Sequence, residues 1–143
     1  MMRPMPDPSV LRVLVADESL PNRRLIRELL TAFFACEVDD AASGEHAFER
    51  ITQKTYGLFV FAFTLSDIQG PLLDRMIAKV YPRCHPDLLS APPVIFLIRP
   101  DQSADYHAVK RDARIRGAVP LPLSLDALMQ VAGPILPPKA LPF

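Results

Sequence analysis

Short apolar runs alternate along the chain with segments whose apolar residues recur every three or four positions, and that alternation predicts strands and helices in turn. LRVLVA (11–16) has few polar breaks, as in a strand buried on both faces, and stops at Asp17-Glu18. From Pro21 to about Phe34, residues Leu25, Ile26, Leu29, Leu30 and Phe33 fall on one stripe with arginines and Glu28 opposite, which predicts an amphipathic helix. EVDDAA (37–42) reads as a weak edge strand. In SGEHAFERITQ, Ser43 is the expected N-cap with His46 three residues on, and Ala47, Phe48 and Ile51 form the inner face.

GLFVFAF (57–63) is the most apolar run and is expected at the centre of the sheet. Gly70-Pro71 opens a helix, PLLDRMIAKVY, whose core stripe would be Leu72, Leu73, Met76, Ile77 and Val80. After a long linker from Pro82 to Pro92 come a fourth strand, PVIFLI (93–98), and a helix over SADYHAVKRDARIRG, ending at Gly117. AVPLPL (118–123) predicts a fifth strand, and Ser124 caps a last short helix, LDALMQVA, stopped by Gly133-Pro134. Five βα units imply an α/β domain: a doubly wound five-stranded parallel sheet with helices on both faces. In such sheets ligands meet the carboxyl ends of the strands. The residues in question are then Asp17 and Glu18, Ala62 to Asp67, Ile98 and Arg99, and Leu121 to Leu123.

Composition narrows the class. The chain has 143 residues, enough for one core, is half apolar and 22% charged, and has zero formal net charge. That excludes a disordered chain and a global field for nucleic acid. The first ten residues lack a secretory pattern, and no run approaches the ~20 apolar residues that cross a bilayer, so a cytoplasmic location is expected. Cys36 and Cys84 lack metal or disulfide spacing and read as reduced thiols. Most of the sixteen prolines punctuate an N-terminal arm (1–10), the linker, the fifth strand and a tail (133–143), leaving a domain over 11–132.

Across Leu11 to Ala132 the chain resembles the receiver domain of bacterial two-component response regulators. VLVADESLPNRRLIRELL is similar to that family's first strand, acidic pair and first helix; AASGEHAFERI to its second strand and helix; YGLFVFAFTLSDIQG to its third strand and loop. PVIFLI resembles the fourth strand, and RGAVPLPLSLDAL the fifth strand, the Lys-Pro pair and the last helix. The resemblance implies a flavodoxin-like receiver fold. It also implies phosphoryl transfer from a histidine kinase to an aspartate at the third strand's end, with magnesium on the acidic pair. A hydroxyl after the fourth strand and a lysine after the fifth bind the phosphoryl group, whose concentrated charge requires such partners.

Carried over residue by residue, the acidic pair falls on Asp17 and Glu18 and is present. The phospho-acceptor falls on Ala62, the hydroxyl on Ile98 and the lysine on Leu121, before the retained Pro122. The family's coupling aromatic has no counterpart in GAVPL. The reading is an atypical, pseudo-receiver-like domain, not an enzyme, that signals by phosphorylation-independent protein contacts. No cofactor is expected, with magnesium at most weakly held by Asp17 and Glu18. Asp67, in the loop, is the alternative phospho-acceptor, although it reads better as a backbone-bonded or solvated loop residue. Asp39 and Asp40 read as solvated edge-strand charges. Arg99 is expected either to reach the acidic pair, filling the pocket, or to extend into solvent.

In the family, partners and second copies meet the face of the fourth helix, fifth strand and fifth helix. Here that face would carry His107, Lys110, Arg111, Arg114 and Arg116, with Leu121, Leu123 and Met129 nearby; the alternative is a solvated helix face with Asp105 and Asp112 interspersed. The expected partner is a protein of a bacterial signalling pathway, with a homodimer through the same face possible; nucleic acid and membrane are not expected. The tail either packs back or extends as a partner segment. A small-molecule site in the altered strand-tip cleft remains the other open class. Hydrolase or transferase chemistry is not expected, because His46, His85 and His107 have no nucleophile at a strand tip.

Overall fold

The structure is a computed structural model that describes residues 10–139. Its elements are β1 (Leu11–Ala16), α1 (Leu20–Phe33), β2 (Cys36–Ala41), α2 (Gly44–Gln53), β3 (Leu58–Ala62) and α3 (Gly70–Cys84). They are followed by β4 (Val94–Ile98), a 3-10 turn (Pro100–Gln102), α4 (Ser103–Val109), β5 (Ile115–Pro120) and α5 (Leu125–Ala132). The sheet is parallel in the order β2-β1-β3-β4-β5, with β3 central and β2 at an edge, as the apolar content of the two strands predicts.

Alternation along the strands sends residues to two cores. Val13, Val15, Leu58, Val60, Ile95 and Leu97 pack with Ile26, Leu30 and Leu128 of α1 and α5. Leu14, Ala16, Phe59, Phe61 and Phe96 pack on the other face with Ala47, Ile51, Leu73, Ile77 and Tyr81 of α2 and α3. Phe59 and Phe61 stack at 4.9 Å, and Tyr81 meets Phe59 edge-on. The Tyr81 hydroxyl accepts the Tyr56 N–H and donates to the Tyr56 carbonyl, fixing α3 to the start of β3. Among the described residues no helix is long and apolar enough to cross a membrane.

The caps fall where the sequence places them: Ser43 accepts the His46 N–H and Ser124 the Ala127 N–H. Several boundaries differ. In α1 only Ile26 and Leu30 are buried, while Leu25 and Phe33 lie at the exposed margin of the stripe, because a helix over a flat sheet buries a narrow arc. In α3 the large buried apolar residues are Leu73, Ile77 and Tyr81; Leu72 and Met76 face outward. α3 also runs through Pro82 to Cys84, its last turn held by the His85 N–H on Tyr81 and by the His85 ring on the Ile51 carbonyl, so the linker is shorter than expected.

The largest correction concerns the fourth helix. It ends at Val109, and β5 begins at Ile115 where a helix was expected. Pairing of Ile115 with Val94 and the capture of Arg114 by Asp74 override the local helical pattern. Asp39 and Asp40 are likewise engaged: Asp39 bonds Arg12, Lys54 and the Tyr56 hydroxyl, and Asp40 bonds Arg23 and Arg27. Burial raises the Asp39 pKa, but Tyr56, Lys54 and Arg12 outweigh it and hold the carboxyl below its usual range.

The described part of the tail packs back. Leu136 joins the α1–α5 core, and Pro138 bridges Phe34 in antiparallel fashion, with Ala35 N–H on Pro137 and Lys139 N–H on Phe33. The arm over 1–9 and residues 140–143 lie outside the described residues.

Candidate functional site

Asp17, at the end of β1, is buried, and its carboxylate is committed locally. One oxygen accepts the Ser19 N–H at 2.8 Å and the other accepts the Asn22 side-chain amide at 3.1 Å. The arrangement braces the start of α1, whose N-cap is Ser19. Glu18 points to solvent. The two carboxylates therefore do not share one environment.

Asp17, Glu18, Ala62, Leu121 and Arg99 line one cavity of about 170 Å³ at the carboxyl ends of β1, β3 and β5, with Thr64 and Gln102. Ile98, half-buried, packs against the aromatic core, and its carbonyl accepts the Leu121 N–H, holding the ends of β4 and β5 together. The Leu121-Pro122 peptide is cis and Pro122 is exposed. The sequence thus brings the expected strand tips to one place. Ala62 of β3 and Leu121 after β5 present methyl and isobutyl groups there beside Leu97 of β4, whereas Ile98 and Pro122, expected in the pocket, do not line it.

Arg99 does not take the acidic pair. Its guanidinium bonds Asp101, two residues on, with Nε at 3.1 Å, and is more than half exposed. That contact holds the exposed Asp101 carboxyl below its usual range. A partner two residues away costs less chain ordering than reaching across the cleft. Arg23 reaches this strand tip through the backbone, donating to the Asp17 main-chain carbonyl at 2.7 Å while its ion pair is with Asp40 at 2.9 Å. The sequence places it only among the arginines opposite the apolar stripe of the first helix.

Gln102 is the polar residue sequence reasoning passed over. It is buried; its Oε1 accepts the Arg99 N–H and its Nε2 donates to Thr64 Oγ1, both at 2.9 Å. Thr64 in turn donates to Gln69 at 3.0 Å. A glutamine following Arg-Pro-Asp carries no pattern that marks it as buried.

Asp67 lies in the β3–α3 loop, and its two oxygens accept the N–H groups of Gly44 and Glu45 at 2.9 Å, at the start of α2. Those donors hold its carboxyl below the usual range. It does not line the strand-tip cavity.

The resemblance implies magnesium, and the residues present do not fit it. Each Asp17 oxygen already accepts an N–H, Glu18 lines the cavity but is exposed, and position 62 offers no carboxylate. Among the described residues no group of three or more His, Cys, Asp or Glu side chains could hold a metal ion.

On the expected partner face, His107, Lys110, Arg111 and Arg116 are exposed, with Lys110 and Arg111 in the turn after α4 and Arg116 on β5. Leu123 and Met129 are half-buried against the α1–α5 core. Arg114 does not belong there. It grips the buried Asp74 carboxylate through two N–H groups, at 2.7 and 2.9 Å, and donates to the Pro92 carbonyl. Burial pushes Asp74 up while Arg114 pulls it down, and burial prevails.

No family model matches the chain, and no curated protein matches its sequence. Solved structures do. A response regulator receiver domain protein from Clostridium thermocellum is similar with a TM-score of 0.72 at 16% identity, over 87% of this chain and 93% of that one. The signal receiver domain of an HD domain-containing protein from Pseudomonas fluorescens Pf-5 gives 0.73 at 17%, over 94% and 93%. A structure described as adenylate cyclase from Rhodopirellula baltica gives 0.72 at 11%, over 86% and 84%. Identities this low carry the fold and no activity across. The chain has the flavodoxin-like fold of response-regulator receiver domains.

Proposed function

We propose that this chain is an atypical receiver domain of a two-component, phosphorelay-type signalling pathway that works without aspartyl phosphorylation, through protein–protein contacts. One observation carries the reading: Ala62 and Leu121 line the same cavity as Asp17, so apolar groups stand where phosphoryl transfer needs a nucleophile and a cation. The domain needs no cofactor, binds magnesium weakly if at all and catalyses no reaction. Its place is the cytoplasm, where signalling proteins meet it.

The two alternatives fit the geometry less well. Asp67 lies outside the cavity that holds Asp17, and the Gly44 and Glu45 N–H groups that stabilise its charge make it a weaker nucleophile. A small-molecule site in the strand-tip cleft would have about 170 Å³, below the roughly 300–1,000 Å³ of ordinary ligand pockets. The exposed Lys110, Arg111 and Arg116, with His107 when protonated, give the α4–β5–α5 face cations for an acidic protein surface or a second copy, interspersed with the exposed Asp105, Asp112 and Asp126. The zero net charge argues against nucleic acid.

The test is incubation of the purified chain with acetyl phosphate and magnesium, followed by intact-mass analysis. The expected spectrum contains only the unmodified chain. A stoichiometric, acid-labile phosphate adduct overturns the reading, and peptide mapping then tells Asp67 from any other acceptor.

A further inference from the structure

A groove of about 510 Å³ runs between α2 and α3, on the face away from α1 and α5. Phe48, Ile68 and Met76 supply its apolar wall, and Glu45, Glu49 and Asp67 stand among them. None of the described residues lining it is basic. Met76 is 43% exposed, and Leu72, one helical turn earlier on α3, is 44% exposed. Met76 in the groove and Leu72 next to it on α3 are exposed, while Phe48 and Ile68 are partly buried against the core.

The groove is built, not a gap left by loose packing. A Cβ at position 44 would stand 2.2 Å from Ile68 Cγ2, so glycine there lets the β3–α3 loop seat against α2. Asp67 locks the seat by accepting the Gly44 and Glu45 N–H groups and stays ionised in doing so. Glu45 and Glu49, four residues apart on α2, are like charges that weaken a helix slightly. Among the described residues neither makes an ion pair.

We infer that the α2–α3 groove is a docking site for a cationic amphipathic helix of a partner protein. Apolar side chains spaced i and i+4 would enter between Phe48 and Met76, and Lys or Arg on the flanks would meet Glu45, Glu49 and Asp67. Charge selects this occupant. A second copy seated groove to groove would oppose carboxylate to carboxylate, and anionic membranes or nucleic acid would be repelled. The inference rests on the reading that the chain works through protein contacts. It names one surface for them, distinct from the α4–β5–α5 face.

The experiment titrates the labelled full chain with a synthetic Leu/Lys amphipathic helical peptide and follows its amide spectrum, with a Leu/Glu peptide of the same length as control. No phosphodonor is present, so the outcome is independent of the acetyl phosphate test. Saturable shifts confined to α2, the β3–α3 loop and α3 are expected. Binding should weaken with salt and fall at least tenfold in Met76→Glu and in Glu49→Lys, both surface changes whose folding the same spectra report. Absence of binding, equal binding of the Leu/Glu peptide, shifts centred elsewhere or indifference to both variants overturns the inference. So does self-association of the chain in sedimentation that Met76→Glu abolishes, which would assign the groove to a second copy.

Discussion

Gln102 donates from Nε2 to Thr64 Oγ1 at 2.9 Å, tying the turn after β4 to the loop after β3 above the strand-tip cavity. Its other end accepts the Arg99 N–H, so one buried side chain satisfies both loops. A direct side-chain tie joins the two loops above Ala62, Leu97 and Leu121.

Gln102→Ala removes both bonds and leaves a main-chain N–H without its partner. The expected cost is about 1–3 kcal/mol in urea unfolding, together with faster hydrogen exchange at the Arg99 amide. Unchanged exchange there would mean that the side chain does not hold the turn.

The buried Asp74 of α3 pairs with Arg114 in the turn before β5, and Arg114 is also bound to the Pro92 carbonyl. Arg114→Met strands the carboxylate and should destabilise the fold by about 3–5 kcal/mol in denaturant titration. Adding Asp74→Leu should recover much of that loss, because no charge is then left buried alone. A small effect of Arg114→Met would place the pair at the surface.

The Asp67 carboxyl titrates below its usual range in the folded chain because the Gly44 and Glu45 N–H groups stabilise its charge. Its stabilising contribution is therefore complete above the unfolded carboxylate pKa of about 3.9 and disappears as pH falls through the lower folded value. Asp67→Asn should flatten this acid limb and leave a smaller, pH-independent cap. Unfolding free energies measured from pH 6 downward check it. Parallel profiles for the two proteins would contradict the assignment.

Ala62→Asp places a second carboxylate beside the buried Asp17 in a cavity lined by Leu97 and Leu121. It should cost about 1–3 kcal/mol in thermal or urea unfolding. With Leu121→Lys in the same chain, the loss should shrink by a coupling energy of about 0.5–3 kcal/mol, since the cation then faces the new charge. Additive costs would place positions 62 and 121 too far apart to interact.

How legible the fold was depends on which force set each element. The strands obeyed apolar content and alternation: LFVFA is central because both faces are buried, and CEVDDA is at an edge because it is polar. Ser43 and Ser124 mark helix starts by a local bond that needs nothing from the rest of the chain. The α4–β5 boundary was not legible, because Arg114 and Ile115 answer to Asp74 and Val94, far away in sequence. In the candidate site, Asp17, Ala62 and Leu121 were found from the strand tips. Arg23, Gln102 and the partners of Asp67 were not, since each acts through a contact between separate elements. Of the two readings of Arg99, exposure to solvent holds and the reach to the acidic pair does not, because a carboxylate two residues away outcompeted the distant pair.

The most direct test of an inert strand-tip pocket is an amide-spectrum titration of the unmodified chain with magnesium and beryllofluoride, a mimic of the phosphoryl group. With alkyl groups at positions 62 and 121, no saturable shift is predicted at Asp17, Ala62, Thr64, Ile98 or Leu121. Saturable, magnesium-dependent shifts that converge on those residues would show that the pocket still binds the group, and would contradict the account.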